Sequence, residues 1–183
     1  MKIKILTLIL LSIACLCNAQ NVTPAKRKAN VDFDAYEKLI PKVKAHRKNR
    51  LVDLSTFLKM AEEKGTIILD TRSDSLYKRK HVKGAIHLNF ADFTQQNLLR
   101  IIPNADTKIL IYCNNNFRDD AINFASKIVI PDLINKKIAP ISLALNIPTY
   151  INLYGYGYRN VYELSELVST LDKSITFEGS DVK

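Results

Sequence analysis

A thiol, three amides, an aromatic ring and a guanidinium stand together in the run Cys113-Asn114-Asn115-Asn116-Phe117-Arg118. A cysteine attacks only as its thiolate, which is favoured where backbone N–H groups, a helix N-terminus or a cation face the sulfur. A short loop wrapped over its own cysteine aims N–H groups at it. Asparagine tolerates the left-handed backbone angles of such a curl, and Arg118 offers a forked donor to an anion. Asp119 and Asp120 follow directly; they either oppose a thiolate by charge or cap the next helix.

The rest of the chain isolates that thiol. Lys2 and Lys4 precede the apolar stretch Ile5 to Leu16, and Cys17-Asn18-Ala19 offers small residues for cleavage. Residues 1–19 therefore read as an export signal, with a lipoprotein signal ending at Cys15 as the alternative. The expected location is periplasmic or secreted. Removing the signal takes the basic count from 27 to 25 against 18 acidic residues, so the net charge falls from +9 to +7. It also leaves Cys113 without an internal disulfide partner. No later stretch is apolar for long enough to span a membrane. The histidines lack a companion at metal-ligand spacing, so no metal is expected; no cofactor is expected either.

The elements that must hold the loop follow from periodicity. Residues 20–49 form a basic N-terminal extension. Within it Phe33, Tyr36, Ile40 and Val43 predict an amphipathic helix, broken or restarted near Pro41. Its charge suits an acidic protein or lipid surface, whereas no motif accompanies it that would support nucleic-acid binding. Residues 50–170 alternate strand and helix. Thr66 to Asp70, Lys108 to Tyr112 and Asn160 to Leu164 are strands. Ser55 to Lys64 (with Ser55 as the N-cap), Ser73 to Lys80, Asp92 to Leu99, Ala121 to Ile130 and Leu143 to Leu153 are helices. Apolar strands separated by helices predict an α/β fold whose parallel sheet is covered on both faces. Ligand sites in such sheets lie beyond the strand carboxyl ends, where Asp70 and Cys113 both fall. Residues 119–141, with Pro131 and Pro140, read as an insertion beside the loop. Residues 171–183 read as a polar tail.

Four segments together resemble the rhodanese-like domain family. They are Ile68-Leu69-Asp70-Thr71-Arg72; Tyr77 to Ile86, with His81 and Gly84; Lys108 to Arg118; and Gly157 to Leu164. The likeness runs over about residues 50–168. It implies a three-layer fold with a central five-stranded parallel sheet. It also implies sulfur transfer, with Cys113 as nucleophile and sulfur carrier. Asn114, Asn115, Asn116 and Phe117 would cradle the sulfur through their backbone. Arg118 would position an anionic donor or acceptor, a small sulfur-containing anion or a thiol. Asp70 and Arg72 would be structural. Related phosphatases place five residues between cysteine and arginine; the four here favour sulfur over phosphate. A catalytically inactive binding module, meeting a protein through the basic helix or the 119–141 insertion, is the alternative. A thiol-based redox enzyme is a third reading.

Overall fold

The computed structural model describes residues 28–129 and 141–182. The expected export signal, Cys15 and Cys17 lie outside them, as do residues 130–140 of the expected insertion. Residues 28–32 belong to a separate N-terminal unit; every element below lies in the unit that begins at Phe33.

Helix α1 spans Phe33–Lys48 and leads into strand β1, Leu51–Val52. The expected break at Pro41 is absent. Pro41 sits inside a continuous helix on its exposed side. Asp53 caps α2, Leu54–Ala61, by accepting from the Thr56 N–H at 2.7 Å, where Ser55 was expected in that role. Strand β2, Ile67–Asp70, is followed by α3, Asp74–Arg79, with Ser73 as its N-cap. Two short strands follow, β3 at His81–Val82 and β4 at Ile86–His87, then α4 at Gln95–Ile101. Strand β5 is Ile109–Tyr112. Beyond the cysteine loop lie β6 (Phe117–Arg118), α5 (Asn146–Gly155), β7 (Val161–Leu164), β8 (Val168–Ser169) and β9 (Phe177–Glu178).

Five strands form one sheet in the order β1-β7-β5-β2-β4, and every pairing in it is parallel. Strand β5 runs at the centre and is buried along its whole length. Its side chains alternate between two cores, as the pleat requires. Ile109 and Ile111 meet Val43, Leu98, Tyr150 and Leu153 on one face. Leu110 and Tyr112 meet Phe57, Phe117, Phe124 and Ile175 on the other. This is the α/β fold with helices on both faces of a parallel sheet that the apolar strands predicted.

Two expectations of local structure fail for identifiable reasons. The helix expected over Ala121–Ile130 does not form. Asp120 caps a single turn, accepting from the Asn123 N–H through its side chain and from the Phe124 N–H through its carbonyl. The Asn123 carbonyl then goes to Arg72 at 3.1 Å, and the chain leaves extended. Val129 donates to Ile141 and Leu143 to Lys127, so the two described ends of the insertion run antiparallel. The polar tail is also no tail. Strand β9 pairs antiparallel with β3, Ile175 is buried, and the Phe177 ring lies 5.4 Å from Phe117 and 5.6 Å from Phe124. Gly179 permits this return: its φ is +134°, and a Cβ there would run into the Arg79 carbonyl.

Candidate functional site

The carboxyl ends of β2 and β5 lie side by side, with Asp70 opposite Tyr112. Cys113 is the next residue; it is 1% exposed and lines a pocket of about 100 Å³. Among the described residues, Arg72, Ser73, Leu76, Asn114, Asn115, Lys127 and Leu145 also line it.

After Cys113 the chain makes one turn of 3₁₀ helix, Asn114–Asn116, and enters β6. The turn consumes some of the N–H groups expected to face the sulfur. The Asn116 N–H donates to the Cys113 carbonyl at 3.1 Å. The Phe117 N–H donates to the Asn114 carbonyl, so Phe117 is not part of a cradle. Its ring is a core side chain stacked against Phe124 at 4.5 Å. What the turn withdraws, α5 replaces. Leu145, at its N-cap position, has no side chain that can cap the helix, and the backbone N–H groups of Asn146 and Leu145, with that of Asn115, face the sulfur. Burial pushes the Cys113 thiol up; those three N–H groups pull it back down, and the Glu163 carboxylate adds to the rise. The net direction is upward, against the depressed value that a fully wrapped loop would give.

The three asparagines act through their side chains. Asn114 Oδ1 accepts from the Arg72 guanidinium at 3.3 Å. Asn115 Oδ1 accepts from the Lys127 N–H at 3.0 Å, which ties the loop to the segment beyond it. Asn116 Oδ1 accepts from the Cys113 N–H and from Asn146 Nδ2, both at 2.9 Å. Its own Nδ2 donates to the Leu164 carbonyl at the end of β7 at 2.7 Å.

Arg118 does not reach the pocket. In extended backbone successive side chains face opposite ways. Phe117 takes the inward position, so Arg118 points out. Its guanidinium donates to Asp119 at 2.9 Å, and it borders a separate surface hollow with Glu166 and Asp172. Among the described residues, Lys127 is the exposed cation that lines the cysteine pocket. Asp119 and Asp120 are engaged elsewhere. Asp119, at φ 71°, accepts from Ser169 as well as Arg118. Asp120 pairs with Lys80 at 3.0 Å.

Asp70 and Arg72 form a buried pair beneath the pocket, 0% and 2% exposed. Arg72 Nη2 donates to Asp70 Oδ2 at 2.7 Å, and Nε lies 3.0 Å from both carboxylate oxygens. The guanidinium also donates to the Lys80 carbonyl at 2.7 Å and sits over the Phe124 ring at 4.6 Å. The Tyr112 hydroxyl donates to Asp70 at 2.5 Å. The pair joins four chain segments and leaves little of Arg72 for a substrate.

Sequence reasoning missed four residues of this arrangement: Lys127, Leu145, Asn146 and Glu163. Glu163 is buried on β7 and forked onto Arg47 of α1 at 2.5 and 2.6 Å. A charge in the middle of a buried strand was the available signal, because such a group needs a partner.

The family model for the rhodanese-like domain matches residues 53–166 of the chain. Among solved structures, a protein of Bacillus halodurans is 20% identical over 80% of this chain and 85% of its own, with a TM-score of 0.45. The rhodanese-like domain of a protein from Anabaena sp. is 18% identical over 72% and 80%, with a TM-score of 0.44. A rhodanese from E. coli with anions is 15% identical over 63% and 99%, with a TM-score of 0.38. No curated protein sequence matches. With the match covering more than half of the chain and ending just past β7, the protein belongs to the rhodanese-like domain family.

Proposed function

We propose that the protein is a sulfurtransferase or persulfide carrier, acting after export, with Cys113 as the sulfur carrier. The observation that carries this reading is the meeting of N–H groups from two chain segments on one buried sulfur that lines a small pocket. Such donors stabilise a sulfur anion in a place that excludes water. The thiolate of Cys113 attacks the outer sulfur of a donor such as thiosulfate. A new S–S bond forms and the donor's S–S bond breaks; sulfite leaves with the electron pair. An acceptor thiolate or cyanide then attacks the outer sulfur of the persulfide and releases the Cys113 thiolate. Lys127, rather than Arg118, meets the negative charge of the donor.

A second reading is a rhodanese-like module that binds an anion or a protein without turnover. It is favoured by the 1% exposure of Cys113 and its upward-shifted thiol. Turnover separates the two. Transfer of sulfur from thiosulfate to cyanide, lost in Cys113→Ser, supports the transferase. No transfer from thiosulfate, polysulfide or cysteine persulfide refutes it and leaves the binding module. Hydrolysis of an aryl phosphate through Cys113 would replace both with phosphatase chemistry.

A further inference from the structure

We propose that Arg47, on the helix preceding the family-matched region, is a positioning residue for Cys113. It grips the buried Glu163 from the partly exposed end of its ion pair and, through Asn146 and Asn116, fixes the backbone that carries the thiol. The inference rests on Cys113 being the reacting group, whatever is transferred to it.

The chain of contacts is continuous. Both carboxylate oxygens of Glu163 accept from the Arg47 guanidinium, at 2.5 and 2.6 Å. Asn146 Nδ2 donates to Glu163 Oε1 at 3.3 Å and to Asn116 Oδ1 at 2.9 Å. Asn116 Oδ1 also accepts from the Cys113 N–H at 2.9 Å. The backbone N–H of the same Asn146 faces the Cys113 sulfur. One residue at the start of α5 thus touches both the acid and the thiol. A fork of two short charge-assisted bonds sets side-chain orientation more tightly than a single bond. Glu163 is therefore held in one position, and Asn146 with it.

The electrostatics follow the same path. Glu163 is 5% exposed, and its negative charge disfavours a second negative charge on the sulfur. Arg47, bonded to both carboxylate oxygens, offsets that charge. Other charged and titratable groups surround the two. His46 and Arg50 lie beside Arg47, with Tyr150 on α5. Arg72 and Lys127 line the sulfur's pocket, and Arg72 is held by Asp70. Glu163 is the acidic group among them that acts on Cys113, and Arg47 is the cation bonded to it.

The test is the rate of alkylation of Cys113 by iodoacetamide as a function of pH, which requires no sulfur transfer. Arg47→Met leaves Glu163 unopposed and moves the midpoint of the profile up by about one pH unit. Arg47→Lys restores most of the difference. Glu163→Gln leaves a cation beside the site and moves the midpoint down. The double variant Arg47→Met/Glu163→Gln returns to the wild-type midpoint. Glu163→Gln keeps an amide in place of the acid, so it remains informative if Arg47→Met does not fold. An unchanged midpoint in the folded variants overturns the proposal. So does an equal shift in Arg47→Met and the double variant, because that assigns the effect to packing of α1. Absence of sulfur transfer in the wild-type protein, with these midpoints behaving as stated, would instead refute the function proposed above and leave this inference standing.

Discussion

Replacing Arg72 by methionine tests what holds the cysteine loop in place. The substitution keeps an unbranched apolar stem and deletes the guanidinium. Asp70, 0% exposed, then retains the Tyr112 hydroxyl at 2.5 Å and the backbone N–H of position 72 at 2.9 Å as donors, and loses its counter-charge. Breaking one side of a buried ion pair costs about 3–5 kcal/mol, because the remaining charge is left desolvated. The carbonyls of Lys80 and Asn123 and the Asn114 amide oxygen lose a donor too. Each adds about 1 kcal/mol or more where water cannot replace the guanidinium. At roughly 2–4 °C per kcal/mol for a domain of this size, the ion-pair loss alone lowers the melting temperature by about 6–20 °C. Urea unfolding followed by far-ultraviolet circular dichroism gives the free energy directly. The further change Asp70→Asn in the Arg72→Met background recovers part of the loss, since it removes the stranded charge. A loss below about 1 kcal/mol for Arg72→Met, the range of exposed ion pairs, would refute this account of the pair.

Burial holds the Cys113 thiol above its ordinary range. Its alkylation at neutral pH is therefore slower than that of a free cysteine and keeps rising into the alkaline range; a plateau at neutral pH would contradict this. For an anionic donor such as thiosulfate, Lys127→Ala raises KM about tenfold with little change in kcat, the weight of one exposed charge-assisted contact, and Arg118→Ala changes neither. The reverse pattern in steady-state kinetics would restore Arg118 to the site. His46 lies 2.9 Å from the Tyr150 hydroxyl, and its pKa is lowered by burial, then by Arg50 and Arg159. Below pH 6.5 the unfolded chain takes up this proton before the folded one does. Stability therefore falls as pH drops from 6.5 toward the lower folded value and is insensitive to this group well above pH 6.5. Urea midpoints measured across that window show the decline, and His46→Gln removes it.

Much of the frame was legible because strand burial leaves a strong mark. Ile67–Asp70 and Ile109–Tyr112 are apolar on both faces, and such a run between helices admits few arrangements other than a covered parallel sheet. The position of Cys113 at a strand carboxyl end followed from that. What was not legible depended on pairing between distant segments. Arg118 was expected at the pocket because of its spacing from Cys113. Its direction is set by the pairing of β6 with β8 and by Phe117 taking the core. Residues 171–183 were expected as a polar tail because Ile175 and Phe177 are isolated apolar residues among polar ones. Their burial depends on β3 offering an edge and on Gly179 passing close to Arg79. Glu163 was absorbed into an apolar strand, and its partner Arg47 was absorbed into a general basic helix. The pair joins residues 116 positions apart, and no local pattern carries such a contact.

The central claim is that Cys113 accepts sulfur. Its most direct test is the intact mass of the protein after incubation with thiosulfate and removal of excess donor. The account predicts a gain of one sulfur atom, absent in Cys113→Ser and reversed by cyanide with formation of thiocyanate. An unchanged mass with thiosulfate, polysulfide and cysteine persulfide alike, in protein whose Cys113 still alkylates, would contradict it.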